Sequence, residues 1–234
     1  MPVRKLYWED AYLREFDSTV VAAEGNRVCL ESTAFLPMGG GFVGDSGFLG
    51  SFRVTDTQKE GEDSIIHLVE NYTNFNAGDS VHGIIDWDRR YRSMKMHTAA
   101  HALSAVFNNG AGAKITGNQI RPDESRIDFS LGNMDRKIIN SFVDRVNEAI
   151  AMDLDVKTYF MPREEAEKIP DVVKLAGTAP PDTDTFRIVE IVGLDVQACG
   201  AVNVKSLGEI GRIVPLRYEN KGKSNRRLYF TLDE

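Results

Sequence analysis

Cysteine is scarce in this sequence, which has only Cys29 and Cys199 among 234 residues. So few thiols exclude a disulfide framework and fit a reducing compartment, where each thiol is free to pack or to bind a metal. Long apolar runs are also missing, since none approaches the roughly 18 residues that a membrane span requires. The N-terminal segment mixes charged residues with aromatic ones, unlike a signal peptide. We therefore expect a cytoplasmic protein that makes no use of a membrane.

Positive charge is in deficit, and the formal net charge is −7. This balance is unusual for a nucleic-acid-binding protein, but phosphates respond to local patches and not to the sum. Two basic patches are present, one at residues 89–92 with Lys95 nearby and one at residues 221–227. Judged by charge alone, the two patches are better interpreted as a solvated face and a hairpin tip.

The first part of the chain reads as short strands separated by turns. Hydrophobic residues make up 42% of the sequence, enough for two small cores. The β-type runs cover residues 12–16, 19–23, 28–30, 50–54, 64–69 and 80–85. Strands at this spacing favour a small barrel. We therefore predict an N-terminal β-barrel domain over residues 1–88.

The remaining residues, 89–234, mix helices with strands. One helix is predicted over residues 97–107, and a second follows Asn133, a plausible N-cap. The apolar face of the second helix comprises Ile138, Ile139, Phe142, Val146, Ala149 and Ile150. Strands are predicted over residues 119–120, 126–129, 156–160 and 186–192, with a short helix after Pro162 and a hairpin formed by 212–218 and 227–232. The fold class is therefore α+β, with helices packed on an antiparallel sheet.

His97 and His101 are the strongest chemical signal in the sequence. Four positions apart in a helix, both imidazoles project from one face and can reach one metal ion. On spacing alone, however, a coincidental pair is the commoner explanation. Cys199 offers a third ligand beside the backbone freedom of Gly200, although a lone cysteine is more often a buried structural residue.

Several ordered motifs together resemble the freestanding alanyl-tRNA editing proteins, relatives of the editing region of alanyl-tRNA synthetase. The resemblance covers essentially the whole chain. The matching segments are the glycine-rich loop 37–47, Asp86-Trp87 with Arg90, His97 to His101, residues 163–166, 196–200, 208–211, 219–222 and 225–227. The resemblance, and not the spacing, makes the histidine pair half of a metal site.

The resemblance implies hydrolysis of the ester that joins a wrong amino acid, chiefly serine, to the tRNA for alanine. It implies a Zn²⁺ site at His97, His101 and Cys199, and it matches Thr98 to a threonine that senses the serine hydroxyl. It also makes several residues candidates for contact with the aminoacylated 3′ end of the tRNA. These are Gly39, Gly40, Gly41 and Asp45 in the glycine-rich loop, and Arg89, Arg90, Lys221 and Arg226 in the basic patches.

This sequence departs from the family at three motif positions. Asn203 stands where the second metal motif ends in histidine, Val202 where threonine is usual, and Phe42 where glutamine usually continues the glycine-rich loop. A neutral amide is a weak zinc ligand, so Asn203 either binds the metal weakly as a fourth ligand or leaves the fourth coordination position to water. Three alternatives follow. The protein is a hydrolase with an altered zinc site, or it binds aminoacyl-tRNA or another RNA with little or no hydrolysis, or it hydrolyses a different substrate in a pocket that Phe42 and Val202 reshape.

Overall fold

In the computed structural model the chain forms two compact units, Met1–Ser93 and Met94–Glu234. The structure describes residues 2–61, 64–71, 74–132, 135–173 and 183–233. The fold is α+β with mostly antiparallel sheets. No helix among these described residues is long and apolar enough to cross a membrane.

The first unit is built on six strands that pair in a closed ring. Its elements are β1 (Arg4–Lys5), α1 (Leu6–Glu9), β2 (Glu15–Glu24), β3 (Arg27–Leu30), β4 (Ser32–Thr33), β5 (Gly47–Leu49), β6 (Phe52–Glu60), β7 (Ser64–Val69) and β8 (Ser80–Ile85). The pairing order is β2-β3-β7-β6-β5-β8, and β8 pairs back with β2. Apolar side chains such as Phe16, Val28 and Leu49 fill the core. Gly83 is required on β8, because a Cβ there would lie 2.4 Å from the Phe16 ring.

The second unit contains two antiparallel sheets. Its elements are β9 (Ile115–Gln119), β10 (Ser125–Phe129), α3 (Arg136–Ala151), β11 (Val156–Pro162), α4 (Arg163–Ala166), β12 (Thr185–Ile191), β13 (Asp195–Ala198), a 3₁₀ turn (Leu207–Ile210), β14 (Arg212–Asn220) and β15 (Arg226–Asp233). One sheet has the order β14-β15-β10-β9 and the other β11-β12-β13. Helix α2 (Trp87–Ala111) runs from the first unit into the second.

Helix α3 packs its apolar face against β14. The predicted face is buried except at Ile138, which is 46% exposed. Ile138 lies about 100° around the helix from Ile139, at the edge of the buried stripe and in the first turn of the helix. The predicted N-cap, Asn133, lies outside the described residues, and Asp135 caps the helix by accepting a bond from the Lys137 amide.

Helix α2 begins ten residues before the predicted start and ends four residues beyond the predicted end. Its residues 93–107 are all buried. A helix buried all round shows no alternation of polar and apolar faces, so the periodicity on which the sequence prediction depends is weak. Its small residues Ala99, Ala102 and Ala105 are fully buried.

Candidate metal centre

Helix α2 and the segment after β13 bring together three side chains that could hold a metal ion. One ligand atom each from His97, His101 and Cys199 lies within 4.8 Å of the other two. The two imidazole rings are 4.7 Å apart between centroids and nearly perpendicular, as one helical turn places them. Both histidines are buried, and Cys199 is half-buried.

His97 is fixed in one orientation by the backbone of the facing segment. Its Nδ1 lies 2.9 Å from the carbonyl oxygen of Val202. Because a carbonyl can only accept, Nδ1 carries a proton and Nε2 is the nitrogen that faces the cluster. Nε2 lies 3.7 Å from Cys199 Sγ. A ligating histidine commonly uses its second nitrogen in this way.

Cys199 is held in place by Arg187, which lies buried on β12. The Cys199 amide donates to the Arg187 carbonyl at 2.9 Å. The Arg187 guanidinium donates in return to the carbonyls of Cys199 and Ala201, at 2.9 and 2.8 Å. These bonds fix the backbone on both sides of Gly200, and so they determine where the thiol points.

The charges of the cluster are those of a site prepared for a cation. Burial raises the pKa of the Cys199 thiol, but His97 and His101 outweigh burial and lower it well below its usual value. Burial lowers the pKa of His101, yet the Cys199 thiolate and Asp195 together raise it to about 9. The shifts therefore favour a Cys199 thiolate beside a protonated His101. A metal ion bound at the same place could supply this positive charge instead of the proton.

Thr98 and Asn203 lie in the same unit as the cluster, but their side chains bond to each other and to the backbone. The Thr98 hydroxyl donates to the Met94 carbonyl at 2.9 Å and accepts from the Asn203 amide and from the Val204 N–H, each at 3.2 Å. Asn203 Oδ1 is buried and has no hydrogen-bond partner among the described residues. Asn203 therefore already uses its amide group to bond Thr98, the residue next to His97.

We expect Thr98→Val to destabilise the protein by about 2–3 kcal/mol, because the change leaves two buried N–H donors without an acceptor. The two donors are the Asn203 amide and the Val204 backbone. Denaturant unfolding measures the loss. Thr98→Ser, which keeps the hydroxyl, is the control and should recover at least half of the difference. Equal stability of the Val and wild-type proteins would contradict this role of the hydroxyl.

The sequence-predicted tRNA contacts divide into exposed and buried groups. Gly39, Gly40, Gly41 and Lys221 are exposed, and Arg89 is half-buried with its guanidinium on the Gly44 carbonyl at 2.7 Å. Lys221 pairs with Glu219 at 2.7 Å, at the tip of the terminal hairpin. The exposed group is therefore available to a large polyanion such as RNA.

Asp45, Arg90 and Arg226 are the buried group. Arg90 Nε donates to the Asp45 carboxylate at 2.8 Å, and Nη2 donates to the same carboxylate and to the Ala34 carbonyl. Arg226 is turned onto the Gly222 and Asn225 carbonyls at 2.9 Å. These charges serve internal hydrogen bonds and do not face solvent, so direct contact with an RNA phosphate is not open to them as the structure stands.

The first half of the glycine-rich loop forms a tight turn. Gly39 and Phe42 exchange backbone hydrogen bonds at 3.2 and 2.9 Å, and Gly40 and Gly41 between them have φ of 61° and 88°. Two consecutive residues with positive φ are what a two-residue hairpin turn of type I′ requires, and glycine adopts them without strain. The Phe42 side chain is buried and anchors the exposed tip.

The other two histidines take no part in the cluster. His67 is buried in the ring of the first unit, bonded to Thr33 at 2.8 Å and to the Val28 carbonyl, and burial lowers its pKa to about 4. His82 is exposed and bonded to Asp17. Asp195 and Arg187, which do lie beside the cluster, carry no recognisable motif in a single sequence.

Comparison with known proteins identifies the class to which the chain belongs. A family model described as the second additional domain of threonyl and alanyl tRNA synthetases matches residues 186–229. A second model, described as class II (A) tRNA synthetases, matches residues 10–89. The chain is thus built from domains that it shares with tRNA synthetases.

Individual relatives narrow this class to one family. The alanyl-tRNA editing protein AlaX-M of Saccharolobus solfataricus is 45% identical over 97% of this chain and 98% of its own length. The protein of the same name from Methanosarcina barkeri is 42% identical over the same shares. The alanine–tRNA ligase of Ignicoccus hospitalis is 35% identical over 91% of this chain. The matched region is only 24% of the length of that ligase. The chain belongs to the AlaX-M family of alanyl-tRNA editing proteins, which confirms the resemblance carried by the motifs.

Proposed function

We propose that this protein hydrolyses the aminoacyl ester of mischarged tRNA for alanine, with serine as the chief amino acid removed. Water splits the ester into a free amino acid and a tRNA with a free terminal ribose hydroxyl. The observation that carries the proposal is the cluster of His97, His101 and Cys199 in a chain of the editing-protein family. The scarcity of cysteine and the character of the reaction favour the cytosol as its place of action.

The donor set fits zinc. Two imidazole nitrogens and one thiolate are ligands that zinc prefers, and three protein ligands leave a fourth position open. Two ligands of one zinc ion lie roughly 3.3–3.8 Å apart. His97 Nε2 and Cys199 Sγ, 3.7 Å apart, already meet this spacing, and the three ligand atoms all lie within 4.8 Å of one another. When bound, zinc supplies Lewis acidity to the ester carbonyl or to the attacking water. The protein orients the ligands: the Val202 carbonyl directs His97 Nε2 toward the cluster, and Arg187 holds the backbone of Cys199 in place.

Thr98 is our candidate for recognising the serine side chain. Its proton is donated to Met94, so its oxygen is available to a substrate hydroxyl only as an acceptor. A serine hydroxyl would have to take the place of the Asn203 amide, because the other donor to the Thr98 oxygen is the backbone N–H of Val204. Alanine has no hydroxyl and leaves that bond intact, which is the asymmetry a selective site requires.

The exposed glycines and basic side chains are our candidates for holding the tRNA. Gly39, Gly40 and Gly41 present backbone without side chains, which lets a ribose–phosphate chain approach closely. Arg89 and Lys221 add positive charge for positioning, not for reading sequence. We therefore propose that two elements contact the tRNA. One is the glycine-rich loop of the first unit, whose closed ring of strands we take as a small barrel, and the other is the hairpin of β14 and β15.

The test is deacylation of seryl-tRNA for alanine, with alanyl-tRNA carrying the same tRNA as the control. We expect the seryl ester to be lost well above its spontaneous rate and the alanyl ester to be spared. A spontaneous rate for both, together with measurable binding of the tRNA, would overturn the hydrolase and leave a binding protein.

Restoring the family histidine should tighten the metal site. We expect Asn203→His to lower the zinc dissociation constant roughly tenfold or more, because an imidazole replaces a buried amide whose oxygen has no partner. Competition with a chelator of known affinity measures the change. Asn203→Ala removes the same amide without adding a ligand and is the control. Unchanged affinity in the histidine variant would show that position 203 does not reach the metal.

A further inference from the structure

One ring nitrogen of His101 is buried and has no role in the three-ligand cluster described above. This nitrogen, Nδ1, has no hydrogen-bond partner among the described residues. It lies 3.9 Å from Oδ2 of the Asp195 carboxylate. That separation is about 1 Å too long for a direct hydrogen bond.

Asp195 is a carboxylate that is itself almost completely buried, with its side chain 1% exposed. It begins β13, and its burial alternates with that of Val196, so Asp195 and Gln197 lie on the same buried face. The Gln197 amide donates to Asp195 Oδ2 and fixes the direction of the carboxylate. The Gln197 amide is neutral, and a buried carboxylate is more stable beside a cationic group.

The geometry points to Asp195 as the positioning residue of the metal site, and we propose that it accepts the Nδ1 proton of His101. This inference rests on the proposed function, because it assumes that a metal binds the cluster. With Nδ1 bonded to Asp195, the lone pair of His101 lies on Nε2, the nitrogen left for the metal. The arrangement repeats that of His97, whose Nδ1 is bonded to Val202, so each ligand histidine has its own acceptor.

Asp195 lies close enough to His101 for a small adjustment to complete the bond. A shift of about 1 Å in the His101 ring or in the carboxylate brings Nδ1 and Oδ2 within hydrogen-bonding distance. The positive charge of a bound cation would then polarise the His101 imidazole, and this would stabilise the buried carboxylate of Asp195. Asp195 thus orients the ligand and touches neither substrate nor metal.

The test compares zinc affinity in two variants that each lose one negative charge from the same sheet. Asp195→Asn keeps the shape of the side chain, and we expect its zinc dissociation constant to rise by roughly 10–100-fold in chelator competition. Glu190→Gln is the matched control, since Glu190 lies on β12 opposite Val196 and bonds Tyr159 instead of a histidine. Its zinc affinity should stay within twofold of the wild-type value.

A measurement on the wild-type protein keeps the proposal open to refutation if Asp195→Asn does not fold. Long-range ¹H–¹⁵N spectra of the zinc-loaded protein report which nitrogen of His101 carries the proton, and we expect Nδ1. A protonated Nε2, or equal zinc affinity of wild-type and folded Asp195→Asn proteins, would overturn the role of Asp195 and leave the proposed function standing. Wild-type protein that binds no zinc would overturn both.

Discussion

Replacing both His97 and His101 with alanine should remove zinc from the protein and lower the rate of seryl-tRNA deacylation by roughly a thousandfold. Cys199 would be left as the single strong ligand in the cluster, and one thiolate does not hold zinc against a chelator. The several kcal/mol that a metal ion contributes to the transition state correspond to a rate factor of this order. Elemental analysis and the deacylation rate measure the two effects.

The control for this double variant is His82→Ala. His82 is exposed in the first unit and bonded to Asp17, so its loss should change neither zinc content nor rate. Circular dichroism of the double variant should show an unchanged fold, because α2 is held by its apolar residues. A double variant that keeps one zinc per chain, or keeps the wild-type rate, would contradict the assignment of the histidines.

Replacing Arg90 with alanine should lower the free energy of unfolding by about 3–5 kcal/mol. Arg90 and Asp45 form an ion pair whose side chains are 0% and 2% exposed. Asp45 also accepts from the Leu36 amide at 2.6 Å, so the pair ties the glycine-rich loop to the start of α2 within the first unit. The substitution leaves a carboxylate buried without its cation, which is far more costly than the loss of a surface pair.

The neighbouring arginine supplies the control. Arg89→Ala removes the same group from the neighbouring position, but Arg89 is half-buried and its guanidinium donates to the Gly44 carbonyl instead of a buried carboxylate. We expect its effect on unfolding to stay within about 1 kcal/mol. Replacing both members of the pair, as Arg90→Met with Asp45→Leu, should recover part of the stability lost in the single variant. Equal losses for the two arginines would refute the role of the buried pair.

The contrast between these two arginines marks a limit of the sequence. A run such as Arg89-Arg90-Tyr91-Arg92 has the composition of a solvated face, and a single sequence does not distinguish a cation that faces water from one whose carboxylate partner lies 45 positions earlier. The partner can be found only after the chain has folded. Charge patterns predict local exposure well only where no distant partner exists.

Elements with strong local signals were predictable. The apolar stripe of α3 predicts that helix to within a turn, and the paired runs around residues 220–222 predict the hairpin of β14 and β15. Strand β13 (Asp195–Ala198) was missed, because it is four residues long and begins with aspartate, a poor strand former. That strand carries Asp195, so the same weakness concealed the carboxylate behind His101.

The metal ligands themselves needed both local and family information. Helical spacing aligns His97 with His101, yet Cys199 lies 102 positions from His97 and no periodicity connects the two. The motifs of the editing-protein family supplied that connection, and the structure then placed the three ligand atoms within 4.8 Å of one another. At Asn203 the family pattern gave no answer, and only the structure shows its amide bonded to Thr98.

The most direct test of a zinc-dependent deacylase is the rate of ester loss from seryl-tRNA for alanine before and after the metal is removed. Wild-type protein stripped by a chelator should fall to the spontaneous rate, and one equivalent of zinc per chain should restore the original rate. Protein that keeps its full rate after the zinc has been removed would contradict the central claim that His97, His101 and Cys199 act through a bound metal ion.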